Sequence, residues 1–243
     1  MRALWCAALV TGLLLAPKPV AAQSPTPDDI FRRGNEHASK GRFEDALAEY
    51  GRLEKSGVLA PSLYWNWAQA ASATGKKGET LWALLRAQEL SPTDPGVLRE
   101  VERVRLELGL DLAETSLGLL GDLRFLARRH RFDGLALLCA MASLALLAGR
   151  MPRRGLSRLL ILAALLLALP HVVGRWSEPR GVVIQTNAPL VDIPRADAVA
   201  LTKLREGEVV PLLGEEGEYV KIQDASGARG FAHKSDVRRV GMK

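Results

Sequence analysis

The chain has 243 residues, room for one large or two small domains plus further segments. Its formal charge of +6 is mostly local: residues 1–22 carry two basic and no acidic side chains, residues 23–113 carry 12 basic and 14 acidic and residues 181–243 nine of each, while residues 114–180 carry ten basic against four acidic. A surplus that sits mainly in that stretch and not on a domain face excludes a nucleic-acid-binding protein. Of the two cysteines, Cys6 lies in the N-terminal apolar segment, expected to be removed as a signal, and Cys139 in an uncharged run expected to span a membrane, so no disulfide is expected and the remaining domains stand on their cores alone.

Met1-Arg2, an apolar run from Ala3 to Ala16 and then Pro17-Lys-Pro-Val-Ala-Ala22 form the three regions of a secretory signal peptide, 1–22, with cleavage expected after Ala22. Left uncut, the run would be a third span, and the residues beyond it would still be exported. Gln23 to Pro27 is a short linker. Thr26 is placed to cap a helix, with Pro27 at its first position and Asp29 three residues on.

From there the chain repeats at a period of 34. Gly34 recurs as Ala68, Asn35 as Gln69, Gly41 as Gly75, Ala46 as Thr80, Leu47 as Leu81, Tyr50 as Leu84 and Leu53 as Ala87, without a gap. Small residues at Gly34 and Ala68 let paired helices approach, Gly41 and Gly75 end the first helix of each unit, and Pro92 closes the second unit. Lys77 stands where the first unit has Phe43, and Val58 where the second has Pro92. The pattern resembles the tetratricopeptide repeat, which implies an all-α solenoid over 23–113 with units at about 28–60 and 61–94. Asp94-Pro95-Gly96 opens a capping helix, 95–109, with Val97, Val101, Val104 and Leu108 on one stripe. Two units are fewer than a stable stack usually needs, so this domain is expected to lean on the membrane, a second copy or a partner. Among the aromatics, Tyr64 and Trp67 fall on the packing stripe. Trp65 and Trp82 are either core or the lining of a partner groove. His37 reads as a packed histidine.

Residues 114–133 mix Leu117, Leu120 and Phe125 with Arg124, Arg128 and Arg129, the pattern of an amphipathic helix lying in a membrane interface. Next come two uncharged runs, 134–149 and 159–174, joined by 150–158 with four arginines. They are expected to form a two-helix transmembrane hairpin with a cytoplasmic loop, each run slightly under the ~17–25 residues that usually span. The signal peptide sets the direction: both flanking domains on the periplasmic side of a bacterial inner membrane. His171 is interfacial, and the absence of charge within the runs argues against a transport pathway.

Beyond 180 the period becomes two. Gly181–Thr186, Ala198–Leu204, Val209–Leu213, Tyr219–Ile222 and Gly230–His233 read as five short strands separated by turns. Leu204-Arg-Glu-Gly207-Glu-Val-Val, Gly217-Glu-Tyr219-Val-Lys-Ile and Gly230-Phe231-Ala232 resemble the bacterial SH3-like domain, which implies a small all-β barrel over 181–240. Tyr219 and Phe231 stand where that family has tryptophan. They are either barrel core or ligand contacts, and such domains bind cell-wall peptides or proteins.

No catalytic, metal or cofactor constellation is present. The four histidines lie in four segments, and Gly75-Lys76-Lys77-Gly78 lacks phosphate-loop spacing and falls on a repeat turn. The order of the parts resembles the BatE-type proteins of the bacterial aerotolerance operon, which implies protein partners of the von Willebrand-type Bat family and a MoxR-type ATPase. The expectation is a multidomain membrane protein acting as a non-catalytic, membrane-anchored scaffold without cofactors; the alternative is a tether whose barrel holds peptidoglycan.

Overall fold

The computed structural model describes residues 25–111, 132–148, 154–173 and 179–241. The expected signal segment, all but the last two residues of the interfacial helix and the start of the arginine turn lie outside the described residues.

Among the described residues five helices come first: α1 (Pro27–Ser39), α2 (Phe43–Lys55), α3 (Pro61–Ala73), α4 (Lys77–Leu90) and α5 (Pro95–Glu107). The starts of α3 and α4 lie 34 residues after those of α1 and α2. Thr26 caps α1: its hydroxyl accepts from the Asp29 amide at 3.2 Å, and the Asp29 carboxylate accepts from the Thr26 amide at 3.3 Å. Gly41 and Gly75 come after the first helix of each pair at φ +73° and +75°, a left-handed conformation that a side chain would oppose. Gly34 is where α1 meets α2. A Cβ there would lie 2.6 Å from the Tyr50 ring, which is itself fully buried. The Tyr50 hydroxyl donates to Asn35 Oδ1 at 2.9 Å, and Asn66 Nδ2 donates to the same oxygen at 2.9 Å, tying α3 to the first pair. Ala46, Leu53, Ala68, Thr80 and Ala87 are all buried between the helices, and Pro92 sits in the turn after α4. Asp94 caps α5 through Gly96 and Val97, and α5 buries Val97 and Val104.

Residues 132–173 contain two antiparallel helices, α6 (Phe132–Ala148) and α7 (Arg154–Val173). The expected transmembrane hairpin is corrected here, and with it the membrane fold class and the inner-membrane location: among the described residues no helix is long and apolar enough to cross a membrane. The physical reason is length. The 17 residues of α6 rise about 26 Å, short of a hydrocarbon core of about 30 Å. The 20 residues of α7 include Arg154 and Arg158 at the start and Pro170 and His171 near the end. Leu137, Leu138, Met141 and Leu144 of α6 and Leu162, Leu165 and Leu166 of α7 are exposed.

The C-terminal part is a sheet of seven antiparallel strands, not five: β1 (Arg180–Val183), β2 (Ala188–Val191), β3 (Ala200–Leu204), β4 (Val209–Glu216), β5 (Tyr219–Gln223), β6 (Arg229–His233) and β7 (Val237–Val240), in the order β3-β2-β6-β5-β4-β1-β7. The two strands not foreseen are β2, hidden by Pro189, and β7, where Arg238 and Arg239 interrupt the apolar pattern. Val183, Leu190, Leu204, Val210, Val220, Ile222, Ala232 and Val237 make its core.

Replacing Gly34 by Ala is expected to destabilise the helical part by about 1–3 kcal/mol, because the enclosed Tyr50 ring has nowhere to go; calorimetric melting will show it. The Thr26 hydroxyl, and after it the Arg32 guanidinium, hold the Asp29 carboxyl below its ordinary pKa. The contribution of this cap is therefore complete above the usual carboxylate range and is lost as pH falls through the lower folded value. Melts from neutral to acid pH should lose less stability for Asp29→Asn than for the native chain.

Candidate functional site at the junction of helices and sheet

One hydrophobic core runs from the helices into the sheet. Val182 of β1, Val209 at the start of β4 and Val240 of β7 belong to the same buried cluster as Leu81, Trp82 and Leu110. Their neighbours Val183, Val210 and Val237 face the core of the sheet. Side chains alternate along a strand, so the β1–β4–β7 portion is buried on both faces. Register agrees: Val182 lies opposite Val209 on one side and Arg238 on the other.

Two glycines permit this approach. A Cβ on Gly78, in the first turn of α4, would lie 2.8 Å from the Val183 carbonyl oxygen and 2.9 Å from the Ile184 Cα. A Cβ on Gly207, at φ +85°, would meet Leu108 at 2.6 Å and Leu110 at 2.8 Å. Hydrogen bonds finish the seam. The Gly78 amide donates to Glu206 Oε1 at 2.6 Å, and Arg205 Nη2 donates to the Gly109 carbonyl at 2.7 Å. Trp82 Nε1 donates to the Arg239 carbonyl at 2.9 Å.

At the centre lies Arg238. Its guanidinium carbon stands 3.6 Å from the centroid of the Trp82 ring and 4.6 Å from that of Trp67. It donates to Glu79 Oε1 at 2.9 Å and to Glu54 Oε2 at 2.5 Å. Glu79 also accepts from Trp67 Nε1 at 2.8 Å. Trp67 and Trp82 meet edge to face at 5.1 Å, and Tyr64 stacks on Trp67 at 6.5 Å. Arg86 lies 5.0 Å above the Tyr64 ring and pairs with Glu89 at 3.0 Å. The arrangement can hold a planar cation by two charge-assisted bonds and two ring faces.

The candidate residues separate. Trp82, 1% exposed, lies under the sheet, so the groove it lines is one that the chain itself fills. Trp65 is half-buried on α3, where Ser62, Gln69 and Ser72 are exposed on the same face. Tyr219 and Phe231 are half-buried and alternate with the inward-facing Val220, Ile222 and Ala232, which puts both on the outer face of β5 and β6. There Tyr219 meets His233 edge to face at 5.4 Å, and Lys221 Nζ lies 5.8 Å from the Phe231 centroid. The structure does not bring Trp82 together with this outer face. His37 is part-buried and 3.5 Å from Asp45. Arg238, Glu54, Glu79 and Gly78 carry no mark of function in the sequence; the only hint is that Val182-Val183 and Val209-Val210 do not alternate. No protein-family model and no curated protein matches the chain.

Gly78→Ala should force the sheet off α4, because beside the Glu206 side chain the opposing Val183 oxygen and Ile184 Cα are backbone and cannot turn aside. It is expected to cost about 1–3 kcal/mol and to split a single thermal unfolding transition into two, read by near-ultraviolet circular dichroism.

Proposed function

We propose that the chain is a non-catalytic scaffold or adaptor that presents two binding faces: the open side of α3 around Trp65, and the outer face of β5 and β6. The observation that carries this reading is the shared core between the helices and the sheet. It uses the α4 and β1–β4–β7 surfaces for internal docking, and among the described residues the other two faces keep Trp65, Tyr219 and Phe231 partly exposed. On the α3 face, polar side chains surround a partly exposed indole, a composition typical of interface anchors. The resemblance to BatE-type proteins suggests von Willebrand-type Bat proteins and a MoxR-type ATPase as partners in an envelope stress or aerotolerance complex.

A second reading has one observation in its favour. Tyr219 and Phe231 face outward beside Lys221 and Arg229, and ring faces with basic neighbours suit a glycan–peptide polymer. In that case the sheet would hold peptidoglycan and the chain would act as a wall tether or sensor.

One experiment separates the two. The purified full chain is titrated with a purified von Willebrand-type domain by calorimetry and is sedimented with purified peptidoglycan. The scaffold predicts calorimetric binding that Trp65→Ala weakens about tenfold and that Phe231→Ala leaves in place. Sedimentation with peptidoglycan that Phe231→Ala abolishes, with no heat from the protein domain, would sink the scaffold in favour of the tether.

A further inference from the structure

The Arg238 cage is built by the helices alone. Glu54 closes α2, Trp67 is on α3, and Glu79 and Trp82 are on α4. Every group that stacks on or hydrogen-bonds the guanidinium comes from this side of the seam. The cage is also preset. Trp67 holds Glu79 by its own N–H, and the two indoles brace each other edge to face, neither contact requiring Arg238. Without Arg238, two carboxylates would face one another across two ring faces, part-buried and lacking a cation. Such a site calls for a positive partner. Its shape is selective. Two carboxylates at the edge of a plane and an indole against its face match the fork and flat surface of a guanidinium, and not the compact point charge of an ammonium.

The way Arg238 is delivered defines the ligand further. It projects from β7, which lies at the end of the sheet order and pairs only with β1 among the described strands. What enters the cage is thus an arginine carried on an extended strand, flanked on the same face by Val240. Glu54 and Arg238 keep 28% and 23% of their side-chain surface exposed, so the cage opens to solvent at its rim.

We propose that the Glu54–Trp67–Glu79–Trp82 cage is a guanidinium-binding site of the helical domain, filled in cis by Arg238, and that an arginine on an extended strand of a partner protein competes for it. The sheet domain is then an exchangeable ligand of the helices, and its release uncovers the Trp82 groove.

The Gly78 amide offers a direct readout. It lies in the first turn of α4, has no partner within the helix and is protected only by Glu206 across the seam. In the full chain, Arg238→Ala is expected to speed hydrogen exchange at Gly78 roughly tenfold or more, equivalent to ~1.4 kcal/mol of docking. Millimolar propylguanidinium should restore protection, and propylammonium at the same concentration should not. Arg238→Lys, which keeps the charge, should also exchange faster than the native chain. With the native chain, a short peptide of alternating valine and arginine should speed Gly78 exchange, and its lysine counterpart should leave it unchanged. The native-chain competition decides the matter by itself if the Ala variant fails to fold. The proposal is overturned if Gly78 is indifferent to Arg238→Ala, if the ammonium rescues as well as the guanidinium, or if the arginine peptide leaves native exchange unaltered. None of these outcomes depends on the calorimetric partner, so the scaffold and the cage can fail separately.

Discussion

The structure depends on a sheet buried on both sides. Strands β1, β4 and β7 send Val183, Val210 and Val237 into the sheet's own core and Val182, Val209 and Val240 into the helical core. Each valine removed from water contributes on the order of 1.5–3 kcal/mol, so the three facing the helices add materially to the adhesion. Arg238 stands among them, and a cation in that position would cost heavily if unpaired. Glu54, Glu79 and the Trp67 and Trp82 rings supply the compensation, and in doing so fix the register in which the two parts meet. Valines allow sliding; a guanidinium held by a fork and two planes does not.

This seam also explains how so short a helical stack persists. Two packed helix pairs leave the last pair with an uncovered face, and one further helix shields only part of it. Here α5 covers one side through Val97 and Val104, and the sheet covers Leu81, Trp82 and Leu110. The support comes from within the chain. Gly78 and Gly207 are the geometric condition for that support, since both sit where one more carbon would strike the opposite part. Gly207 lies at φ +85° between β3 and β4, so the same residue serves the local turn and the long-range contact.

Much of the helical part was legible in the residues because its signals are local. A cap made by Thr26 and Asp29 needs four residues, a helix end at Gly41 needs one positive φ, and a period of 34 repeats what one helix pair requires. Tyr50 against Gly34 is readable for the same reason. The candidate site was legible only in part. Trp82 stood out as an aromatic, but whether a partner or the chain itself covers it depends on residues more than 150 positions away. Arg238 carries no local mark: in a short strand with two arginines it reads as a solvated edge. The hairpin misled in the other direction. Two 16-residue apolar runs with an arginine turn imitate a membrane pair, yet α6 is described over 17 residues, α7 carries Arg154 and Arg158 in its opening turns, and among the described residues no helix is long and apolar enough to cross a membrane.

The sequence by itself determined the caps, the helix pairs, the glycine turns and most of the strands, because each arises from forces acting within a few residues. The tertiary structure alone decided that the sheet and the helices share a core, that Trp82 is occupied, and that Glu54, Glu79 and Arg238 form one site. Those outcomes rest on burial and charge pairing between distant segments, where hydrophobic contact is non-directional and any apolar strand could have served. Only the assembled geometry, with Gly78 and Gly207 admitting the backbone and Arg238 reaching between two indoles, selects the arrangement in which the Arg238 cation is compensated.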